Sequence, residues 1–350
     1  MAEVIAKNKI PFCTPISTVH IRGEQERDVP LYNVDSLAGL NYMIGYAIHK
    51  YRGYRVLYRG TTELYDSITP SVFRNKASRD VHHNNAYQRL KDIVRSIVSG
   101  TSVDGGLDLA GSLELDHEEN KKLPQWVKNF MVEGMLQHYG LRTRCLDAVD
   151  NHWVALWFGL NRYVANTDGG AIYAHYTSRI EGLDNPLYLY ELERNKEDFY
   201  QYMWLLAVKQ EIDLDNREAF LQEVYPKGEP EENYTLDLRS ALPSLFLRPS
   251  AQHGWVIHTG RKKYDFTNEL VAILRINIID AYHWMGNGKL LTQANLFPSP
   301  QEDQNYAVLL GYLDAPTGNK ALYNKHKSIN AQLQANPLFE PGDIVRYTYA

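Results

Sequence analysis

The apolar residues of this chain lie in short runs, and their spacing changes from one run to the next. Residues 35–49 have apolar positions three and four apart, which is typical of a helix, whereas residues 55–58 form a short apolar run that is typical of a strand. Further helix patterns cover residues 87–97, 124–138, 151–163, 196–212 and 305–313, and further strand patterns cover residues 170–176, 245–247, 255–258 and 270–278. Helices and strands do not alternate regularly, which predicts an α+β fold rather than a doubly wound sheet. We therefore expect one compact mixed domain in which a small, split β-sheet is surrounded by helices.

The two ends of the chain differ from its middle. Residues 1–36 are polar and contain Pro11, Pro15 and Pro30, which interrupt any helix. Residues 316–350 are polar until an apolar stretch that begins at Pro337. We expect an irregular N-terminal arm at residues 1–36, a main domain at residues 37–315 and a C-terminal tail at residues 316–350, with both ends packed outside the domain.

Charge and composition exclude several classes of protein. The 37 Lys and Arg residues against 42 Asp and Glu residues give a net charge of −5, which argues against a protein that neutralises nucleic-acid phosphates over its whole surface. Two cysteines, Cys13 and Cys145, cannot build a disulfide scaffold, and this indicates a reducing compartment. The longest apolar stretch, around residues 153–160, is far shorter than the roughly 20 residues that span a bilayer. We expect a cytoplasmic protein without a membrane partner.

Common catalytic and metal-binding signatures are missing from the sequence. It contains no phosphate-binding P-loop, no dinucleotide-binding GxGxxG, no HExxH, no GxSxG and no spaced Cys/His zinc set. The pair His82-His83 lies in a polar stretch and is better explained as a solvated loop than as a metal site. We expect no metal cofactor.

Three polar segments with glycines and apolar flanks are the candidates for a functional site. They are Tyr58-Arg59-Gly60 with Thr69-Pro-Ser-Val-Phe-Arg74, then Gln137-His-Tyr-Gly-Leu-Arg-Thr-Arg-Cys-Leu-Asp147 running into Trp153-Val-Ala-Leu-Trp-Phe158, and Arg248-Pro-Ser-Ala-Gln-His-Gly254. A purely structural explanation is equally open at this point, because an arginine at a strand end can pair with a buried carboxylate such as Asp147 and glycines can serve turns.

These three segments together resemble the FRG domain, a family named for its Phe/Tyr-Arg-Gly motif, over roughly residues 38–315. Two departures are visible. The family has Trp-Thr after the Leu-Asp pair, where this chain has Ala148-Val149, and the aromatic residue after the final glycine is displaced to Trp255. FRG domains occur in bacteria, archaea and their phages. A role in bacterial or phage conflict, including phage defence, is expected if the protein is a small cytoplasmic enzyme directed at NAD.

The order of these motifs is in turn similar to that of ADP-ribosyltransferases, which implies an ADP-ribosyltransferase-like fold with NAD as the substrate. On this analogy Arg59, Gln252 and His138 are catalytic, and Arg59 with its strand neighbour grips the nicotinamide ribose. Gly60 lets the cofactor approach the backbone. The analogy assigns cofactor binding to Tyr58, Gly60, Gln137, Arg144, Asp147 and Arg248. In ADP-ribosyltransferases the third of the catalytic positions carries Glu or Gln, which orients the ribose hydroxyl. Here that position is filled by Gln252, which supplies hydrogen bonds but no charge.

Three functions follow from this reasoning. The first is an NAD-directed enzyme, either an ADP-ribosyltransferase with a protein or nucleic-acid acceptor or an NAD glycohydrolase. The second is a non-catalytic nucleotide-binding sensor that acts through a protein partner, with Arg59, Arg144 and Arg248 gripping the ligand. A nuclease-like enzyme that uses His138 and His253 ranks last, because no carboxylate cluster for two metals is evident. For the first two functions we expect the candidate residues to lie around one cleft, with Asp147 paired to an arginine.

Overall fold

The computed structural model describes residues 3–5, 10–23, 26–73, 85–99, 111–139 without 112 and 116, 142–168, 171–179, 199–224, 232–258 without 245, 265–298, 302–303 and 346–347. Within these ranges the chain has the mixed α+β composition that the sequence predicts. No helix among them is long and apolar enough to cross a bilayer. The expected limits at residues 36 and 315 remain predictions.

Nine strands form one large mixed sheet. In spatial order they are β1 (Cys13–Ile21), β2 (Arg27–Val34), β11 (Leu270–Asn277), β7 (Tyr200–Val208), β3 (Arg55–Thr61), β4 (Cys145–Val149), β10 (Gly254–His258), β9 (Tyr234–Asp237) and β8 (Gln210–Ile212). Neighbours are antiparallel except for the pairs β2–β11 and β8–β9. A second sheet joins β5 (Asn161–Asp168), β6 (Ala171–Ser178) and β12 (Arg346–Tyr347). The expectation of a small sheet is therefore wrong.

The N-terminal segment supplies two strands of this sheet, which contradicts the expected irregular arm. Pro11 lies in a turn before β1, and the other two prolines misled the prediction because each occupies a position that a strand tolerates. Pro15 lies in β1, at the edge of the sheet, where a missing N–H removes no bond to an outer neighbour. Pro30 precedes the stretch of β2 that pairs with β11, which begins at Leu31.

Ten α-helices lie among the described residues. They are α1 (Leu37–Lys50), α2 (Asn85–Val98), α3 (Glu118–Lys121), α4 (Gln125–His138), α5 (His152–Leu160), α6 (Arg217–Val224), α7 (Leu238–Ala241), α8 (Leu247–Ala251), α9 (Ile278–Trp284) and α10 (Gln293–Leu296). The predicted helices at α1, α2 and α4 are confirmed, as are the predicted strands at β3, β6, β10 and β11. Helix α1 begins after Ser36, whose side chain accepts a hydrogen bond from the Gly39 amide at 3.1 Å.

Three predicted elements differ from the structure. The segment expected to be a helix at residues 196–212 contains strands β7 and β8 instead. The helix expected at residues 151–163 ends at Leu160, and β5 begins at the next residue. In the strand expected at residues 245–247, Leu247 begins α8 instead, and residue 245 lies outside the described residues. The helix predicted at residues 305–313, the pair His82-His83 and most of the tail lie outside the described residues.

Apolar side chains form a core on both faces of the large sheet. Strand β4 shows how the two faces alternate. Cys145 and Val149 pack into the clusters under the helices, whereas Leu146 and Ala148 pack with Trp204 in the cluster on the opposite face. The alternation places Asp147 on the side of the helices, where it meets α4.

Candidate functional site

The candidate site is an opening within the large sheet. Strand β3 pairs with β7 along all seven of its residues, but it pairs with β4 only at Tyr58 and Val149. Beyond this pair the two strands have no ladder between them. A cleft of about 580 Å³ lies there, and its walls include residues 58–62 on one side and residues 146–149 on the other. This volume lies in the range of small-molecule sites.

Arg59 bridges the opening. Its Nη1 donates a hydrogen bond to the backbone carbonyl of Asp147 at 2.6 Å, which satisfies an acceptor that a continuous ladder would have used. On the neighbouring strand, Trp204 lies opposite Arg59 and donates its indole N–H to Thr61 Oγ1 at 2.9 Å. Arg59 is half-buried and lines the cleft. Its guanidinium is therefore anchored at one nitrogen while it faces the cavity.

A hydrogen-bonded network holds the carboxylate of Asp147. Gln137 Nε2, at the end of α4, donates to Asp147 Oδ2 at 2.6 Å. The amide oxygen of Gln137 accepts from Thr143 Oγ1 at 2.7 Å and from Ser71 Oγ at 3.3 Å, which fixes the orientation of the amide. The arginine contact described for Asp147 is thus made by its backbone carbonyl, whereas its carboxylate accepts from an amide. The pairing of the Asp147 carboxylate with an arginine remains a prediction.

His138 lies one residue further along α4 and is buried in the wall of the cleft. Burial lowers its pKa to about 3, and the positive charge of Arg248 acts in the same direction. The imidazole is therefore neutral at physiological pH. Its ring packs directly on Gly254, where an added Cβ would lie 2.6 Å from His138 Cε1.

Gln252 follows α8 and also lines the cleft, although it is almost completely buried. Its Nε2 donates to the backbone carbonyl of Leu296 at 2.8 Å. The amide N–H of Gln252 is therefore hydrogen-bonded to the last residue of α10. The structure brings Gln252 and Arg59 to the same cleft, although 193 positions separate them in sequence.

Two predicted arginines do not line the cleft. Arg144 forms an ion pair with the buried Glu133, with 2.8 Å between Nη2 and Oε2. Arg248 is fully buried, and its guanidinium carbon lies 4.5 Å from the ring centroid of Tyr139 and 5.4 Å from that of Phe297. Both arginines interact with the interior of the protein, because a buried charge needs a partner or an aromatic face.

The Glu133–Arg144 pair also bears on metal binding. Glu133, Cys145 and His258 are buried with potential ligand atoms within 4.8 Å of one another. Burial by itself would raise the pKa of Glu133, but Arg144 and His258 hold it below its usual range. Because Arg144 already neutralises this carboxylate, the cluster is explained as a structural ion pair.

Gly60 has a packing role that the sequence does not show. A Cβ at this position would lie 1.7 Å from the carbonyl oxygen of Ala155, in helix α5. The glycine therefore lets the helix approach β3. The expectation that Gly60 lets a cofactor approach the backbone remains a prediction. Gly60 and Tyr58 both line the cleft. Burial raises the pKa of Tyr58 to about 12, so this phenol stays protonated.

Several residues that line the cleft were not among the predicted ones. Arg142 belongs to the second polar segment and could have been selected from it. Phe158 ends the apolar stretch that follows the same segment, whereas Tyr65 and Asn161 carry no distinctive local signal. Trp204 could not have been found, because its segment was predicted to be a helix.

Residues 54–168 match the family model for the FRG domain. This match covers about a third of the chain, from just before β3 to the end of β5. The match includes Arg59, Gln137 and Asp147, whereas Arg248 and Gln252 lie outside it. No curated protein and no solved structure matches the chain.

Proposed function

We propose that the cleft binds a nucleotide, with NAD as the first candidate, and that the protein is an NAD-directed enzyme of ADP-ribosyltransferase or NAD-glycohydrolase type. One observation carries this proposal: Arg59, anchored through a single nitrogen, faces a cleft of about 580 Å³ in the gap between β3 and β4.

Arg59 is suited to hold a diphosphate. A guanidinium carries five N–H donors in a rigid fork. Among the described residues, Nη1 is the nitrogen of Arg59 that has a hydrogen-bond partner, which leaves the other donors to a ligand. A second cation, Arg142, lines the same cleft. Bidentate contacts from arginine to phosphate oxygens are both strong and directional.

Aromatic and hydroxyl side chains supply the other contacts that a nucleotide needs. Tyr65 is 46% exposed and Phe158 is half-buried, and both line the cleft. Such rings can stack on a base or on nicotinamide. Thr61, Thr69 and Ser71 also line these walls. The hydroxyl oxygens of Thr61 and Ser71 are hydrogen-bonded to Trp204 and Gln137 and keep acceptor capacity for a ribose hydroxyl.

An ADP-ribosyltransferase-like architecture belongs to the same proposal. Support for it comes from the Arg59-Gly60 pair on a central strand and from the opening beside that strand. It also comes from Gln252, which reaches the cleft from a later part of the chain. In this proposal the enzyme acts in the cytoplasm, in conflict between bacteria and phages, and a transferase would use a protein or nucleic-acid acceptor.

The second candidate is a nucleotide-binding sensor without activity. The position of Gln252 favours it, because its amide nitrogen donates to Leu296 and an amide supplies no negative charge for cleavage. In a sensor, Arg59 and Arg142 would hold the ligand, since Arg144 and Arg248 are engaged in the interior.

Calorimetry and a product assay test the proposal and separate its two forms. Purified protein is titrated with NAD, ADP-ribose and ATP, and nicotinamide release from NAD is followed by chromatography. Binding of NAD together with nicotinamide release supports the enzyme, and binding without release supports the sensor. Failure to bind all three nucleotides would overturn both.

A further inference from the structure

We infer that the carboxylate of Asp147 stabilises the positive charge that develops on the ribose when the glycosidic bond of NAD breaks. This inference rests on the proposed function and deepens it. The motifs assign to Asp147 only cofactor binding and the orientation of an arginine, so this role is an additional one.

The position of Asp147 supports the inference. Within the part of the chain that the structure describes, Asp147 is the one carboxylate residue that lines the cleft. It lies beside the opening, where its own backbone carbonyl accepts from Arg59 at 2.6 Å. A diphosphate bound at Arg59 would therefore place the attached ribose near this carboxylate.

The surroundings of Asp147 keep its charge in a fixed place. Gln137 donates to Oδ2 at 2.6 Å, and the oxygen of the same amide is held by Thr143 and Ser71. A charge that is oriented before the reaction needs no rearrangement when the transition state forms, which is the condition for effective electrostatic stabilisation. Asp147 is also half-buried, and its interaction with a ligand is less screened there than at the surface.

The reaction defines where a negative charge is useful. The bond between ribose C1′ and the ring nitrogen of nicotinamide breaks, and its electron pair stays on that nitrogen. Neutral nicotinamide leaves, and positive charge spreads over C1′ and the ring oxygen of the ribose. The oxygen of water, or of an acceptor hydroxyl, then forms the new bond to C1′ and releases its proton to solvent. A carboxylate lowers the barrier of the first step because it interacts more strongly with the transition state than with bound NAD.

The test compares Asp147→Asn with wild-type protein in nicotinamide release and in NAD calorimetry. Asparagine keeps the shape of the side chain and an oxygen that can accept from Gln137. We expect turnover to fall on the order of a hundredfold, as for the loss of one charge-stabilising group in other active sites. The dissociation constant for NAD should stay within about threefold, because the charge acts mainly in the transition state.

Two further variants keep the test decisive. Asp28→Asn makes the same chemical change in β2, at an exposed site that is not part of the cleft, and should leave turnover unchanged. Asp147→Glu keeps the charge and should retain more turnover than Asp147→Asn. The thermal unfolding midpoint of each variant is measured as well, so that loss of fold is recognised.

The possible outcomes are distinct. If wild-type protein releases nicotinamide and Asp147→Asn keeps more than about a third of its turnover, this inference is wrong while the proposed function stands. Loss of NAD affinity that matches the loss of turnover would make Asp147 a binding residue and would also contradict it. If wild-type protein releases no nicotinamide, the proposed enzyme and this inference fail together.

Discussion

Arg59 and His138 line the same cleft, Arg59 as a cation and His138 as a neutral ring. Arg59 is a cation anchored to a backbone carbonyl across the gap in the sheet. His138 is buried, and its low pKa makes it a neutral ring at physiological pH. The cleft therefore offers an anion cationic contacts at Arg59 and Arg142, while the wall at His138 contributes shape without charge. Arg59 and His138 allow separate predictions about binding and about stability.

Replacing Arg59 tests whether its forked geometry matters for binding. We expect Arg59→Ala to weaken NAD binding by about 2–4 kcal/mol, which is roughly a thirtyfold to thousandfold loss of affinity. Arg59→Lys should lose most of the same affinity, because lysine offers a point charge rather than a planar fork. Calorimetry with NAD measures both variants. Affinity that survives in Arg59→Lys would show that charge alone is enough.

The buried imidazole of His138 predicts a dependence of stability on pH. Its pKa is near 3 in the folded protein, below the ordinary value of 6.5, so between these pH values the unfolded chain binds a proton that the folded chain does not. The free energy of unfolding should therefore fall as the pH is lowered from 6.5 towards 3, by a few kcal/mol from this group.

Urea denaturation at pH 7, 6, 5 and 4 checks this dependence. His138→Gln should have a shallower fall in unfolding free energy over that range than wild-type protein has. His49→Gln changes an exposed histidine and should keep the wild-type slope. Equal slopes for wild type and His138→Gln would contradict the assignment.

At the scale of elements, close packing of helix α5 on β3 and β7 sets the wall of the cleft. Gly60 lies against the Ala155 carbonyl, and on the other side of the contact a Cβ at Gly159 would lie 1.7 Å from Gln201 Oε1. Gly60 thus lets the backbone of α5 approach β3, and Gly159 leaves room for the Gln201 side chain of β7. The Gly60 of the Tyr-Arg-Gly motif is explained by this packing even in the absence of a ligand.

Gly60→Ala is expected to destabilise the protein by about 3 kcal/mol, at the upper end of overpacking effects, because rigid backbone opposes the new methyl group. Gly45→Ala is a matched control. Gly45 is exposed in α1, and a methyl group added there would meet no neighbouring element of the described chain within 4 Å, so alanine should stabilise the protein by about 0.5–1 kcal/mol. Chemical denaturation measures both. Equal effects of the two substitutions would contradict the packing explanation.

Sequence periodicity predicted the amphipathic elements, in which one side is buried and the other is more exposed. Helices α1 and α4 were found in this way, whereas strand β3 was found from a short apolar run. Strand β7 was mistaken for a helix because it is a central strand covered on both faces, and residues 203–208 are all buried. Such a strand is continuously apolar and has no alternation of period two. The edge strand β1 was not predicted for the opposite reason, because most of its side chains are exposed or half-buried and form no apolar pattern.

On the scale of the whole molecule, the cleft is assembled from parts of the chain that are distant in sequence. Arg59 and residues 137–149 belong to the matched FRG segment, whereas Trp204, Gln252 and Phe297 come from beyond it. The motifs include polar residues that the structure brings to the cleft, such as Arg59, Gln137 and Asp147. They did not distinguish cleft arginines from buried ones, because the ion pair of Arg144 depends on Glu133, which carries no signal of burial in the sequence.

The burial of the Gln137–Asp147 segment predicts how the folded protein resists proteolysis. The Arg144 side chain is only 12% exposed and forms an ion pair, so trypsin should cut after it only when the domain unfolds. Cleavage after Arg52, which is exposed in the turn following α1, should come first. Limited digestion followed by mass spectrometry gives the order of the cuts. An early fragment that ends at Arg144 would contradict the structure of this region.

The most direct test of the central claim is a crystal structure of the protein soaked with ADP-ribose, which shares its diphosphate with NAD but cannot lose nicotinamide. We predict that the nucleotide occupies the gap between β3 and β4. Its diphosphate oxygens should lie about 2.7–3.2 Å from the Arg59 guanidinium, and a ribose should face Asp147. A nucleotide bound elsewhere on the protein, or one in the cleft without contact to Arg59, would contradict the account.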